Sequence, residues 1–406
     1  MAAQVEIAIV GAGVVGLCIA KTLSEAGHEV VLIDPAAPGS GASHGNAGTI
    51  ADYAVMPVGT PDVLRNLPSL LFDRNSPLAI RRGALPALVP WLARFVRQSL
   101  PDTAARNAHA IATLLTDAGP MWQALIRDIA AGHLIRQNGC LYLYETPQAF
   151  RAAKAEMAHR RSMGVTVDLI GPDDLHQLEP HLPPMAGAAF FPNAITLTDP
   201  GVVMASLAAH IAPRVRHRRA QVTALERMSQ GIYLTGPNIT ARRVIIAAGA
   251  HSRTLARMAG DRVPLETERG YHAEWDMPRP RLSRPACPTA RGFYLCPMDG
   301  RLRVAGTVEL GGLTAPPSPH RLAKLAQGAQ AMFPDLGTPD RTWMGFRPSL
   351  PDSLPVIGPS SRGADVIYAF GHGHIGVTLA PATARIVAAI VAGKQPDIRS
   401  TAASRF

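Results

Sequence analysis

The sequence predicts an α/β chain, α+β overall, in which a doubly wound domain is interleaved with a second domain of antiparallel sheet and helices. Three observations carry this expectation. An apolar strand at residues 5–10 runs directly into a glycine-rich turn and a helix. A second apolar strand with a small-residue turn follows near residue 249, and another glycine-rich helix start near residue 376, so distant segments must build one layered domain. Between them lie period-two stretches separated by turn signals, as antiparallel strands require.

The first sixty residues are the most informative. Val5-Glu6-Ile7-Ala8-Ile9-Val10 reads as a buried parallel strand. In the turn that follows, Gly11 permits a sharp bend, Gly13 lets backbone approach a pyrophosphate, and Gly16 lets helix pack on strand. The helix opened by Val14 and Val15 runs to about Ala26, and its N-terminal N–H groups and partial positive charge suit phosphates. A strand over Glu29–Ile33 ends at Asp34 and Pro35, placing Asp34 to accept hydrogen bonds from a ribose diol. The stretch 38–48 holds Gly41, Ala42, Ser43, Asn46, Ala47 and Gly48. It is too small and polar to build core, but it can set backbone N–H groups against an anionic or flat ligand.

From Pro61 to about Arg136 the periodicity is helical, with Leu85, Leu88, Trp91, Leu92 and Phe95 on one face. Such a face is ordinarily core, and no function is assigned to it. Leu141–Tyr144 reads as a strand, Phe150–Met163 as a helix and Gly201–Ile211 as a helix. Gln221–Leu225, including Val222, reads as a strand returning to the first domain. Residues 243–249 form a further parallel strand, with Ala248 and Gly249 in a turn small enough to pass a bound dinucleotide. Leu265–Trp275 alternates, with Arg269 and Tyr271 on one face and Glu268 and His272 on the other. Phe293–Pro297 and Arg301–Glu309 form a hairpin about Asp299-Gly300. Near the end, Gly371, Gly373, His374, Ile375, Gly376, Val377 and Thr378 open an apolar helix. A second such helix start suits a flavin better than a nicotinamide, because its positive end can face charge on the ring's N1–C2=O edge. The expected division is 1–60, 190–255 and 340–406 for the dinucleotide domain, and 61–189 and 256–339 for the substrate domain.

Composition excludes several function classes. The net charge of +10 comes from scattered arginines with few aromatics, so no nucleic-acid platform is expected. Cys18, Cys140, Cys287 and Cys296 have no metal-binding spacing, and no metal is expected. With no basic leader and no uninterrupted spanning stretch, the chain reads as cytoplasmic, with peripheral contact at the inner face of the membrane compatible with its basic balance.

The blocks GAGVVGL, SHGNAGTI, VIIAAGAHS, ERGYH, FYLCP, GFRP and GHGHIGVT occur in this order over nearly the whole chain. In that order they resemble the D-amino acid oxidase family of FAD enzymes, and within it the bacterial D-amino acid dehydrogenases. The resemblance implies FAD, held without a covalent bond, since no cysteine stands where related enzymes attach their flavin. It implies that Arg347 clamps a substrate carboxylate and that Tyr294 makes a second contact to it. Tyr271, Arg269 and Tyr53 would be cavity residues, and His374 would lie at the flavin edge. The implied reaction is hydride transfer from Cα of a D-amino acid to flavin N5, giving an imine that hydrolyses to a keto acid and ammonia, with a quinone or oxygen as electron acceptor. A cyclic or secondary amino acid, such as a hydroxyproline isomer or sarcosine, would suit the same clamp. A 2-hydroxy acid would need a base, for which His374 or His272 would serve. A flavin-binding protein without turnover is the remaining alternative.

Overall fold

The computed structural model describes residues 3–65, 76 and 78–406. Among the described residues, eight strands form the first sheet. Its parallel centre runs Val215–Arg219, Val30–Asp34, Ala3–Val10, Ile239–Ile246 and Gly363–Phe370. Val356–Ser360 pairs antiparallel with Gly363–Phe370, and the hairpin 224–235 continues from the first half of Ile239–Ile246. The aliphatic runs Ile7–Val10, Val30–Ile33 and Val244–Ile246 are buried on both faces, as a parallel sheet covered by helices demands. On one side of this sheet the helix Val14–Glu25 packs against Gly376–Val391. The latter helix is apolar enough to cross a membrane by length and composition, yet it is mostly buried inside the fold.

The second sheet, nine strands among the described residues, runs Arg341–Ser349, Glu266–Asp276, Arg301–Leu310, Phe293–Met298, Ala286–Pro288, Cys140–Tyr144, Gly187–Phe191 and Asp168–Ile170. Leu78–Ile80 lies beside Arg301–Leu310. The expectation for 340–406 is corrected in one part: Arg341–Ser349 pairs with Glu266–Asp276 and belongs to this second sheet. The predicted helical region is also interrupted, because Leu78–Ile80 is a strand before the helices Leu85–Gln98, Pro101–Leu115 and Ala118–Asp128 begin. Residues 66–75 and 77 of that region lie outside the described residues. The strand predicted at Gln221–Leu225 starts only at Ala224.

The two faces of Glu266–Asp276 meet different neighbours. Tyr271, Ala273 and Trp275 pack with Leu325, Ala329 and Phe333 of the helix Pro319–Met332 and the turn after it. The even-numbered side looks toward the first sheet. There Glu274 receives hydrogen bonds from Arg301 and Arg303, and Arg303 donates onward to the carbonyls of His44 and Asn46, at 3.2 and 2.5 Å. His272, on that same side, stacks on Trp343 with ring centroids 5.1 Å apart and contacts the Gly45 carbonyl at 3.2 Å. The glycine-rich loop 38–48 is thus anchored from the second sheet, which fixes the spacing of the two layers.

Candidate active site

A cavity of about 1260 Å³ lies between the two sheets. Its floor begins at the end of Ala3–Val10. Gly11 has φ +111°, and a Cβ there would fall 2.3 Å from the Ala247 carbonyl oxygen. At Gly16 a Cβ would come within 1.9 Å of the Gly11 oxygen. Both glycines are therefore required by protein packing alone. Gly13 differs: among the described residues a Cβ there would meet only Ser43 Oγ, at 3.5 Å, and the residue borders the cavity. Glycine at this position leaves room for something other than protein.

Asp34 takes hydrogen bonds from the Ala12 and Ala36 amides at 2.8 and 2.9 Å, which holds its carboxylate at the cavity edge. Ser43 Oγ accepts from the Val14 amide at 3.0 Å, tying the loop to the helix start. Val14, Val15, Asp34, Pro35, Gly41, Ala42, Ser43, Asn46, Ala47, Val222, Ala248 and Gly249 all border the cavity, as do Gly373, His374, Ile375, Gly376, Val377 and Thr378. Gly16, Gly48 and Gly371 do not. They serve the backbone instead, since Cβ atoms at Gly48 and Gly371 would strike Leu197 O and the Leu350 side chain. A groove walled by small residues, with an acid at one end and two helix N-termini facing in, fits an extended dinucleotide.

At the other end the second sheet supplies the polar groups. The Arg347 guanidinium lies over Gly270, where a Cβ would sit 2.6 Å from Cζ, and donates once to the Thr307 carbonyl at 3.2 Å. Among the described residues its other N–H groups have no protein acceptor, and the residue borders the cavity. Burial lowers its pKa somewhat, and Glu268 pulls it back. Thr307 is a β-branched residue at φ +58°, in a bulge where the register of Arg301–Leu310 slips. Its hydroxyl is buried without a partner among the described residues. The bulge aims the Thr307 carbonyl at Arg347.

His374 is exposed to the cavity, and desolvation by the protein around it together with the Arg347 charge lowers its pKa to about 4, so it is neutral at physiological pH. Its neighbour His372 is bonded to Thr383 at 2.9 Å, and burial lowers it to about 3. Tyr294 and Tyr53 join Tyr142 in a buried aromatic wall. The Tyr294 and Tyr142 hydroxyls are 3.1 Å apart, Tyr53 Oη donates to Cys140 Sγ at 3.1 Å, and Arg160 donates to the Tyr53 carbonyl at 2.7 Å. Tyr142 and Arg160 escaped the sequence reading, because nothing local distinguishes them from packing residues.

One expectation needs correction. Arg269 does not border the cavity: it is fully buried on the opposite face, ion-paired to Glu309 at 2.6 Å. Tyr271 borders the cavity, but its hydroxyl binds Glu309 and the Ser318 amide, neither of which does. Strand parity paired these two residues correctly and separated them from Glu268, which also borders the cavity. His272 likewise stays outside the cavity. The helix given no function contributes to it, with Trp91, Leu92 and Phe95 joining Leu78, Ile80 and Leu310 in an apolar rim.

The family described as FAD dependent oxidoreductase matches residues 6–390. The chain belongs to this family. Along 97% of its length it is 36% identical to the D-amino-acid oxidase of Bradyrhizobium diazoefficiens, covering 96% of that protein. It is 28% identical to D-amino acid dehydrogenase 2 of Ralstonia nicotianae over 97% of this chain and 98% of that one. The fold is shared with glycine oxidase from Geobacillus kaustophilus, with a TM-score of 0.79, 23% identity and coverage of 100% and 99%. The dinucleotide of this FAD-dependent oxidoreductase is therefore FAD, and the Gly13 opening, the Asp34 carboxylate and the inward helix at Gly376 fit it. Among the described residues, no cysteine borders the cavity that would hold it.

Proposed function

We propose that this flavoenzyme oxidises D-amino acids to imino acids, with Arg347 holding the substrate carboxylate. The carrying observation is a cavity-facing guanidinium with a single bond to protein among the described residues. A planar cation with free donors recognises a carboxylate through two parallel charge-assisted bonds, which fix orientation as well as affinity. Bound FAD supplies the hydride acceptor, flavin N5. The residues of this chain then do three things. Asp34, the helix start at Val14 and the loop 40–48 hold the dinucleotide, Arg347 and Tyr294 orient the acid, and the aromatic and apolar walls exclude water. The rim of Leu78, Ile80, Trp91, Phe95 and Leu310 supports apolar substrate side chains, because a charged one would be desolvated there without a partner. The full-length match to relatives named D-amino-acid oxidase and D-amino acid dehydrogenase supports the D configuration.

The electron acceptor is oxygen or a quinone in this reading. A peripheral contact at the cytoplasmic face of the membrane is supported by the helix Leu85–Gln98: Leu85, Val89 and Val96 are exposed beside Arg94 and Arg97, while Trp91 and Phe95 line the cavity. The test is anaerobic mixing of the holoenzyme with D- and L-amino acids, sarcosine, hydroxyproline isomers and lactate. Bleaching of the flavin by apolar D-amino acids is expected, and re-oxidation on admitting air marks an oxidase. Bleaching by lactate alone, or by no amine, would overturn the assignment.

A further inference from the structure

We propose that Glu268 accepts the proton that the substrate's ammonium group must lose, an inference that rests on Arg347 holding the carboxylate as read above. Glu268 is the direct cross-strand partner of Arg347 in the antiparallel pairing of Glu266–Asp276 with Arg341–Ser349. Directly opposed residues have Cα atoms about 4.5 to 5.5 Å apart and side chains on one face. That face includes Gly270, beneath the guanidinium, and both Glu268 and Arg347 border the cavity.

Glu268 is only 6% exposed, yet among the described residues no cation lies within ion-pairing distance of its carboxylate. Elsewhere this protein pairs its buried acids: Glu274 with Arg301 and Arg303, Glu309 with Arg81 and Arg269, Glu179 with Arg284. A buried unpaired carboxylate is costly unless a partner arrives. An α-amino acid brings one. Its ammonium sits one carbon from its carboxylate, so a substrate held by Arg347 presents N–H groups beside the clamp.

The step balances without a co-reactant. One N–H bond of the ammonium breaks, its electron pair stays on nitrogen, and an O–H bond forms on Glu268. The resulting neutral amine has the lone pair that must assist loss of hydride from Cα.

The groups around Glu268 leave it this role. Arg347 is the charge opposite it on the paired strand, Arg341 lies at the far end against Glu274, and His374, from the turn beyond, is neutral. On the other neighbouring strand Glu309 points to the opposite face, bound by Arg81, Arg269 and Tyr271. Glu266, two residues earlier, lies near Arg253. Burial raises the phenols of Tyr53, Tyr142 and Tyr294, so they stay protonated and take up no further proton. Burial raises the pKa of the Glu268 carboxyl, and the Arg347 charge pulls it back only in part.

The experiment compares wild-type holoenzyme with Glu268→Gln and Glu268→Asp, with rates normalised to bound flavin. Two quantities are read: the pH dependence of kcat/KM for an apolar D-amino acid, and the Kd of a simple carboxylate without an amine. Wild type should lose kcat/KM at acid pH, with a limb displaced upward from that of an ordinary glutamate. In Glu268→Gln that limb should vanish, kcat/KM at neutral pH should fall about a hundredfold, and the rate should climb tenfold per pH unit toward the ammonium pKa. The Gln variant should bind the simple carboxylate at least as tightly as wild type, because a negative neighbour is gone. Glu268→Asp should restore the acid limb with a reduced plateau. A Glu268→Gln profile within about threefold of wild type at every pH would overturn the proposal. An Arg347→Ala enzyme that binds the carboxylate as well as wild type would instead overturn the reading beneath it.

Discussion

Replacing Gly13 by alanine separates a residue shaped for the cofactor from one shaped for the fold. Among the described residues a Cβ at Gly13 would touch only Ser43 Oγ at 3.5 Å, and the residue has φ −71°, which alanine adopts freely. The apo protein should therefore gain about 0.4 to 1 kcal/mol, through the lower entropy of the unfolded chain. With an unfolding entropy of about 2.1 cal/mol/K per residue, 406 residues give about 0.9 kcal/mol/K, so the apo Tm should rise by about 1 °C at most. The added methyl projects toward the cavity, and overpacking against a close-fitting phosphate costs about 1 to 3 kcal/mol. That weakens FAD binding by roughly five- to 150-fold. Gly16→Ala is the contrast. Its Cβ would come within 1.9 Å of the Gly11 oxygen, so about 3 kcal/mol or more is lost from the fold itself. On the same scale the apo Tm drops by at least about 3 °C. Thermal melts of apo protein and fluorescence titration with FAD measure both quantities. If Gly13→Ala bound FAD as tightly as wild type, the cavity wall at Gly13 would not be the pyrophosphate site.

Two further predictions follow from the charges. Arg347→Ala should raise KM and lower kcat/KM by about 3 to 5 kcal/mol, since two charge-assisted bonds are lost, while Arg347→Lys should recover only part because an ammonium cannot make the paired contact; steady-state kinetics with full flavin content decide, and an unchanged kcat/KM refutes the clamp. For Glu274, burial raises the pKa, but Arg303 and Arg301 outweigh it and bring the folded value to about 2 from an ordinary 4.5. A depressed folded pKa gives stability that is present above about pH 4.5 and lost as pH falls toward 2. Glu274→Gln should therefore flatten the stability profile between those values, and an acid denaturation series showing the same slope as wild type would contradict the network.

The parts of this molecule that could be read from sequence are those whose meaning is local. The glycine turn, its strand and its helix lie within 34 residues, so spacing alone carries the geometry. The Arg301–Glu309 hairpin is equally local, because its turn and its alternation are adjacent. Parity along Leu265–Trp275 was also readable, and it separated Arg269 and Tyr271 from Glu268 correctly. Which side meets the ligand was not readable. That depends on the helix Pro319–Met332 covering one face and the loop 38–48 meeting the other, contacts separated by tens to hundreds of residues.

The same distinction explains the helix Leu85–Gln98. Trp91 and Phe95 have the spacing of a core face, and an apolar side chain lining a ligand cavity obeys the same periodicity as one packed against protein. Glu268 is the sharper case. Alone in sequence it is an ordinary strand glutamate, and only the register with Arg347, 79 residues later, makes it the acid beside a carboxylate clamp. Placed there, it also constrains the clamp. A guanidinium beside a carboxylate is partly neutralised until a substrate brings its own pair of charges, one for each residue. Arg347 and Glu268 thus match a zwitterion better than they match a simple acid, for which Glu268 is a like charge. A preference for amino acids over their deaminated analogues then follows from two residues opposed across one strand pair.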